Sequence, residues 1–443
     1  MSTLIISNCT EEIVGPLAAV PPEKRASFGW GAQRMLWYAR DGDVVILPKQ
    51  PDETFLRYVT GLTRTDPATL QILTPPPGDF GPDILTPDRL GTPEIVAALA
   101  EVAAGRDITD VISIYADTSI ARLVREAGCE RALAGHAFCA ENGVALANSK
   151  AVFRAVAAGA GVPIAPGIIA RRPAEAVKAI DGLLSSGKHA MVKLDFAAGG
   201  HGNEILSPVP GVRAAGARNV VVLTGIPEIE RYVQERWTWL TGGRDERFVI
   251  ERYVPDAVTA YAEFSATDEG CRLRGTGEIL MEPVAVGEII PPQSVRPDVL
   301  DRLVRDGHRV CERFRHLGYR GNICADAIVA PDGEVLFTET NGRLTASTHL
   351  HHNIVARVVG PQRRDERVFL ERGGKLAVGS YAGALDRLAA AGLAFDPATG
   401  TGVILTANYV PVSGRATYCV IDKDLESVRA TERHVQALSD LAA

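Results

Sequence analysis

The chain has 443 residues, a formal net charge of −7, 46% hydrophobic and 23% charged residues. That length predicts roughly two to four domains, the composition excludes global disorder, and the acidic balance argues against a nucleic-acid partner, because phosphate is bound mainly by clustered Lys and Arg. No apolar stretch reaches the ~18 uninterrupted residues of a membrane helix, so no membrane partner is expected. The opening residues lack a basic segment and reach Glu11 and Glu12 at once, which argues against a secretory signal. Cysteines at 9, 129, 139, 271, 311, 324 and 419 form no Cys-x-x-Cys pair, so reduced thiols and a cytoplasmic location are expected.

Residues 1–147 alternate strand and helix, which predicts a parallel α/β layer. Leu4–Ser7 and Val44–Leu47 read as short strands, and Gly29-Trp30-Gly31 as a structural turn, since no strand precedes it and a third glycine is missing. Thr74-Pro-Pro-Pro-Gly-Asp-Phe-Gly-Pro is a rigid loop, for proline lacks the donor that helices and ladders need. Thr92-Pro93 then opens a helix to about Ala104, and Val111–Tyr115 is a strand followed by a helix ending near Gly128.

A second region, 148–361, starts at Asn148-Ser149-Lys150, where a polar cap opens a helix carrying Phe153 and Val156. The strand around Lys193 runs into Phe196-Ala-Ala-Gly199-Gly200-His201-Gly202, whose glycines let backbone N–H groups converge on phosphate oxygens. A glycine-rich hairpin tip is the plainer alternative, and no Gly-Lys-Ser/Thr follows to make a P-loop. Arg247–Val254 is a strand stopped by Pro255, with Trp237 and Trp239 on a packing helix before it.

Farther on, two β-prone runs flank Asp332-Gly333, which predicts a two-residue hairpin turn. That turn pairs Pro331 with Glu334, Ile328 with Phe337, Asp326 with Glu339, and Cys324 with Asn341. A three-residue turn would instead make the Asp326–Glu339 pair diagonal. With a period of two, Asp326, Glu339 and Asn341 share one face. Facing carboxylates repel, so either one is protonated or a cation lies between them; an all-oxygen donor set suits Mg2+ or Mn2+. A solvated sheet face with one acid per strand is the alternative.

His349 and His352 lie on a helix expected near Ser347, but no further ligands are spaced to make a zinc site. Arg363, Arg364 and Arg367 read as a solvated linker to a C-terminal unit, 375–443, with a helix at Ala382–Ala391, strands at Val403–Val410 and Thr417–Ile421, and a closing helix from Asp424.

The order of these features is more informative than any one of them. A capped lysine helix, a strand lysine before a glycine loop, Glu251-x-x-Val254, and Asp326…Glu339-x-Asn341-x-Arg343 together resemble the ATP-grasp superfamily of carboxylate–amine ligases. The layout is similar, more narrowly, to the peptide ligase of pheganomycin biosynthesis. The resemblance implies an ATP-grasp fold, α/β and α+β, with an N-terminal α/β pre-grasp domain and a small C-terminal α+β appendage. It implies that Lys150 and Lys193 contact ATP phosphates beneath a flap of Gly199, Gly200 and Gly202, and that Glu251 sits by the adenine amino group with the Arg252 and Val254 backbones beside it. Asp326, Glu339 and Asn341 would hold the magnesium ions, Arg343 would face the acyl-phosphate, and Ser347 and Thr348 would lie near a substrate carboxylate. The ribose-binding acid has no clear equivalent, with Asp256 nearest.

The implied reaction activates a carboxylate as an acyl-phosphate and condenses it with an amine, releasing ADP and phosphate. An amino acid would be the carboxyl donor and a peptide or amino acid the acceptor, in a chain for which a homodimer is open. A grasp-fold small-molecule kinase and a non-catalytic nucleotide-binding module are the alternatives.

Overall fold

The computed structural model describes residues 1–243 and 247–439. It contains two compact units. The first comprises residues 1–144, 287–293 and 343–443; the second comprises 145–286 and 294–342. The C-terminal segment thus groups with the N-terminal one, and residues 343–361 go with them rather than with the region that starts at Asn148.

In the first unit, four parallel strands lie in the order Gln71–Leu73, Val44–Ile46, Ser2–Ile6, Ile108–Ser113. Leu4, Ile5, Ile6 and Val44–Ile46 are fully buried, as expected of parallel strands covered on both faces. The helix Pro93–Gly105 starts at Thr92 as expected, and Asp117 caps Thr118–Glu126 by accepting from Ser119 N and Ile120 N. Gly29-Trp30-Gly31 is not a turn but part of the helix Pro22–Ala32. Glycine is needed there for close approach: a Cβ on Gly29 would lie 2.0 Å from the Asp83 carbonyl oxygen, and one on Gly31 2.6 Å from the Tyr409 hydroxyl.

The C-terminal segment adds antiparallel strands Val368–Ala377, Arg415–Asp422 and Gly402–Tyr409, with helices Tyr381–Ala390 and Leu425–Ala437. The strand Val368–Ala377 was hidden by the basic run before it, and Gly287–Ile290 pair with its residues Phe369–Arg372. The basic run is a short 3-10 turn at Arg364–Glu366, with Arg367 donating to the Thr399 and Gly400 carbonyls rather than lying wholly in solvent.

The second unit has two sheets. One runs Gly167–Ala170, Phe248–Tyr253, His189–Leu194, Asn203–Ser207, Asn219–Val222. Helices Pro173–Leu184 and Ile226–Leu240 cover one face of it through Ala176, Ile180, Val192, Leu206, Phe248 and Ile250, with Trp237 edge-on to Phe248 at 5.7 Å. The other carries Val335–Asn341, Gly321–Val329, Val258–Ala266 and Cys271–Met281, all antiparallel, packed on the helix Pro297–Leu317 through Ala262, Phe264 and Ala325 beside Gly307.

The proline loop is organised by one buried side chain. Arg89, 1% exposed, donates to five backbone carbonyls: Pro48, Pro75, Pro76, Pro82 and Ile84, at 2.6–2.9 Å. All five guanidinium donors are used, and the prolines that supply most of the acceptors have no N–H with which to answer one another. Burial draws the guanidinium below its ordinary value, opposed by Asp88 and Asp83. Arg89→Lys retains the charge but supplies three donors without the planar fork, stranding buried carbonyls. It should cost about 3 kcal/mol of stability in a urea titration.

Candidate active site

The face of the five-stranded sheet away from the two helices carries a small apolar cluster, Met191, Ile205, Ala217 and Tyr253. Lys193 alternates with the buried Val192 and lies on that face, its Nζ 2.5 Å from Glu251 Oε1. The other Glu251 oxygen accepts from Arg154 Nη1 at 2.8 Å, and Arg154 Nη2 donates to the Ala165 carbonyl at 2.6 Å. All three side chains are buried. Burial pulls the Arg154 guanidinium down from its ordinary value, against the opposing pull of Glu251. The Glu251 carboxylate is therefore taken up by two cations, while its backbone lies within the ladder, in register with Gly167 and Met191. Arg252 N donates to the Pro166 carbonyl at 2.8 Å, and its guanidinium reaches Glu334 at 3.3 Å; Val254 follows the strand directly, half-buried.

After Lys193 the chain makes one turn of loop and returns, with Leu194 N donating to the Gly202 carbonyl at 2.9 Å. Gly199 and Gly200 have φ of +63° and +83°, and a Cβ on Gly202 would lie 2.4 Å from that of Ala197, so side chains are excluded at the bend. Asp195, two residues past Lys193, clamps the start of the helix Lys150–Gly159. Its carboxylate accepts from Ser149 Oγ at 2.8 and 2.9 Å and from Ala151 N at 2.8 Å, and its carbonyl from Lys150 N at 3.2 Å. A negative charge at a helix N-terminus is favourable, and here it fixes both lysines through one residue.

The hairpin differs from its expected form near the turn and matches it at the carboxylates. The turn has three residues, Pro331, Asp332 and Gly333, with Gly333 N donating to Ala330 O and Ala330 N to Glu334 O. Ile328 accordingly faces Leu336, not Phe337, one residue out of the expected register. An extra residue then enters the second strand, for Ala327 faces Phe337 and Asp326 faces Glu339. The skipped residue, Thr338, donates its hydroxyl to the Asp326 carbonyl at 3.2 Å. This bulge returns Asp326 opposite Glu339 and Cys324 opposite Asn341.

The carboxylates are compensated without a metal. Lys150 Nζ lies 2.9 Å from Glu339 Oε2 and donates to the Ala197 carbonyl at 2.8 Å, tying hairpin to glycine loop. Asp326 accepts from Asn341 Nδ2 on one oxygen at 2.9 Å and from Cys324 Sγ on the other at 3.1 Å. Burial first, then Asp326 and Glu263, hold the Cys324 thiol well above its ordinary value, so it is protonated and can donate. Two carboxylates and a carboxamide make an oxygen donor set of the kind Mg2+ takes. Among the described residues, no group of three or more His, Cys, Asp or Glu side chains is placed to hold a metal ion.

Arg343, Ser347 and Thr348 belong to the first unit. Arg343 is half-buried. Ser347 and Thr348 are buried in the cap of the helix Ala346–His349, where Thr345 Oγ1 lies 2.6 Å from Ser347 Oγ and 3.0 Å from Thr348 Oγ1. A π-helix, Leu350–Val359, follows directly. Asp256 is exposed, with φ of +56°. Two residues went unnoticed in the sequence. Arg154 was signalled by its position one turn after Lys150, and Asp195 by being the first acid after the Lys193 strand.

Because Lys150 compensates Glu339, removing that charge should not relieve repulsion. Glu339→Gln should lower stability by about 1 kcal/mol without divalent ions, since the pair is partly buried and the amide still accepts from Lys150. A rise in melting temperature would show that repulsion between Asp326 and Glu339 dominates instead.

Residues 32–129 match the pre-ATP-grasp domain family, and residues 383–435 match the PGM1 C-terminal domain family. No curated protein matches the chain in sequence. Among solved structures it is similar to the biotin carboxylase domain of the Hydrogenobacter thermophilus 2-oxoglutarate carboxylase, a dimer in complex with MgADP, ADP and bicarbonate. Identity is 15% and the TM-score 0.60, over 99% of this chain and 90% of that one. It is also similar to N5-carboxyaminoimidazole synthetase from Staphylococcus aureus, with 12% identity and a TM-score of 0.54 over 98% and 97% of the two chains. A third likeness is to Campylobacter jejuni biotin carboxylase in complex with a β,γ-ATP ligand, with 11% identity and a TM-score of 0.57 over 98% and 90%. Identities this low carry the fold alone. The chain has the ATP-grasp fold, with a pre-ATP-grasp domain in its N-terminal part and a domain of the PGM1 C-terminal type near its end.

Proposed function

We propose that the protein is an ATP-dependent carboxylate–amine ligase that forms a peptide bond and releases ADP and phosphate. The observation that carries this reading is the registered Asp326–Glu339 pair, with Asn341 beside it, joined through Lys150 to the glycine loop after Lys193. A bulge that restores one carboxylate pair is a costly device for a merely solvated sheet face.

In this reading Lys150 and Lys193 offset phosphate charge. Each already has its ammonium oriented, by Glu339 and by Glu251, so neither must be ordered when the nucleotide arrives. Met191, Ile205 and Tyr253 offer an apolar surface for adenine, with the Glu251–Val254 backbone at its edge and the Glu251 carboxylate acting through Lys193. Gly199, Gly200 and Gly202 bring N–H groups over the phosphates. Magnesium or manganese, when bound by Asp326, Glu339 and Asn341, would neutralise the β- and γ-phosphates. The substrate carboxylate attacks the γ-phosphorus and ADP leaves; the amine then attacks the acyl carbon, phosphate leaves, and the amine gives up a proton. Arg343, two residues after Asn341 in the chain, would answer the charge on the acyl-phosphate oxygens, and Ser347 and Thr348 would meet a substrate carboxylate. Such chemistry needs positioning and charge more than a covalent nucleophile.

Lys193→Ala should weaken ATP binding about tenfold or more in calorimetry, as expected for a lost charge-assisted contact. Unchanged affinity would displace the triphosphate from this site. With pooled amino acids and short peptides, mass spectrometry should show an amide product, and labelled ATP should yield ADP and phosphate. Stoichiometric AMP would eliminate the acyl-phosphate route, while ADP with a phosphorylated product and no amide would mark a kinase.

A further inference from the structure

The strand Gly321–Val329 packs Ala325 against the helix Pro297–Leu317 beside Gly307. The residues that alternate with it, Cys324 and Asp326, therefore lie on the opposite face of the sheet, and both are buried. Two rungs of the hairpin meet there. Cys324 stands opposite Asn341 and Asp326 opposite Glu339, both beyond the bulge at Thr338. The first rung holds the acid of the second. Cys324 Sγ lies 3.1 Å from Asp326 Oδ1, and Asn341 Nδ2 lies 2.9 Å from Asp326 Oδ2. A carboxylate has no hydrogen to give, so the thiol donates in one contact and the amide in the other. Each oxygen of Asp326 is thus held by a different side chain of the neighbouring rung, which fixes the rotation of its carboxyl group.

The two donors differ in what they leave behind. The Asn341 amide is oriented by its bond to Asp326, because the reverse orientation would set oxygen against oxygen, and its Oδ1 remains as an acceptor. The thiol is a weak donor, so it orients Asp326 and leaves nearly all of the carboxylate's charge in place. An ammonium or guanidinium at position 324 would also orient the acid, but it would neutralise it and repel a divalent ion. A small apolar residue would leave the charge intact and the carboxyl group free to turn. A thiol avoids both faults.

We infer that Cys324 is a positioning residue for the metal ligand Asp326: its thiol, together with the Asn341 amide, holds the carboxylate in one orientation without competing with a divalent ion for its charge. This deepens the proposed function and rests on its assignment of Asp326, Glu339 and Asn341 to the metal. Cys324 is then an outer partner of the ion and not a ligand, which keeps the donor set all-oxygen and suited to Mg2+ or Mn2+.

The test uses the full chain with saturating ADP and no carboxylate or amine substrate. Mn2+ is titrated in and followed by the relaxation of water protons, with Mn2+ and ADP alone as the blank. Cys324→Ala should weaken Mn2+ binding about tenfold or more, the usual effect of removing an outer-shell partner. Cys324→Val, apolar and suited to a strand, should weaken it as much and stands in if the alanine variant fails to fold. Cys324→Ser, which returns a donor on a shorter arm, should recover most of the affinity. Calorimetric binding of ADP without metal should be the same in all of them, and circular dichroism verifies folding. Undiminished Mn2+ binding by C324A and C324V overturns the inference. So does equal weakening in C324S, which a role in packing alone predicts. Asp326→Asn separates the inference from the reading beneath it. If D326N loses Mn2+ while C324A keeps it, the metal assignment stands and the positioning role falls. If D326N binds Mn2+ like the parent, or the parent binds none, the metal assignment fails and takes the inference with it.

Discussion

A buried ammonium must have partners, and the second unit is arranged around the ones that Lys150 takes. Its Nζ holds the Ala197 carbonyl of the glycine loop and the Glu339 carboxylate of the hairpin, while its own helix is seated by Asp195 at the end of the Lys193 strand. Three elements far apart in sequence are thus fixed by two neighbouring residues, Ser149 and Lys150. The pair Lys193–Glu251, braced by Arg154, repeats the device a few residues away. Each cation is compensated in place, which avoids the several kcal/mol that an unpaired buried charge would cost.

This arrangement has a consequence for nucleotide binding. In the proposed function, a triphosphate reaching Lys150 and Lys193 would compete with Glu339 and Glu251 for them. The carboxylate released at Glu339 would then face Asp326 across the strand pair, where like charges are destabilising. In that reading a divalent ion held by Asp326, Glu339 and Asn341 would offset the charge of both the phosphates and the freed carboxylates. In the proposed function, nucleotide and metal are therefore coupled through Lys150, and bare ATP meets a site with more negative charge than it can neutralise.

Part of the fold and of the hairpin pairing was legible in the sequence, and the failures are as physical as the successes. Alternation and an Asp-Gly turn placed Asp326 opposite Glu339. The turn itself was misjudged by one residue, and only the bulge at Thr338 brought the pair back. A bulge leaves no mark in residue type, for Thr338 suits a regular strand equally well. Gly29-Trp30-Gly31 was read as a turn because local rules assign glycine to bends, whereas the close approach of the Asp83 carbonyl decides it. Arg154 and Asp195 escaped because buried charge pairs are long-range: the acid that claims Arg154 is 97 residues away. The strand Val368–Ala377 was lost for a similar reason, since its Glu371 and Arg372 look solvated until Arg34 and Glu432 are brought to them.

The two matched segments, 32–129 and 383–435, both lie in the first unit, whereas the residues proposed for phosphate and metal, from Lys150 to Asn341, lie in the second. The solved structures that share this fold are named for different reactions, biotin carboxylase and N5-carboxyaminoimidazole synthetase. A fold hosts many chemistries, so likeness at this level cannot choose an acceptor. That choice falls to side chains with buried and specific requirements.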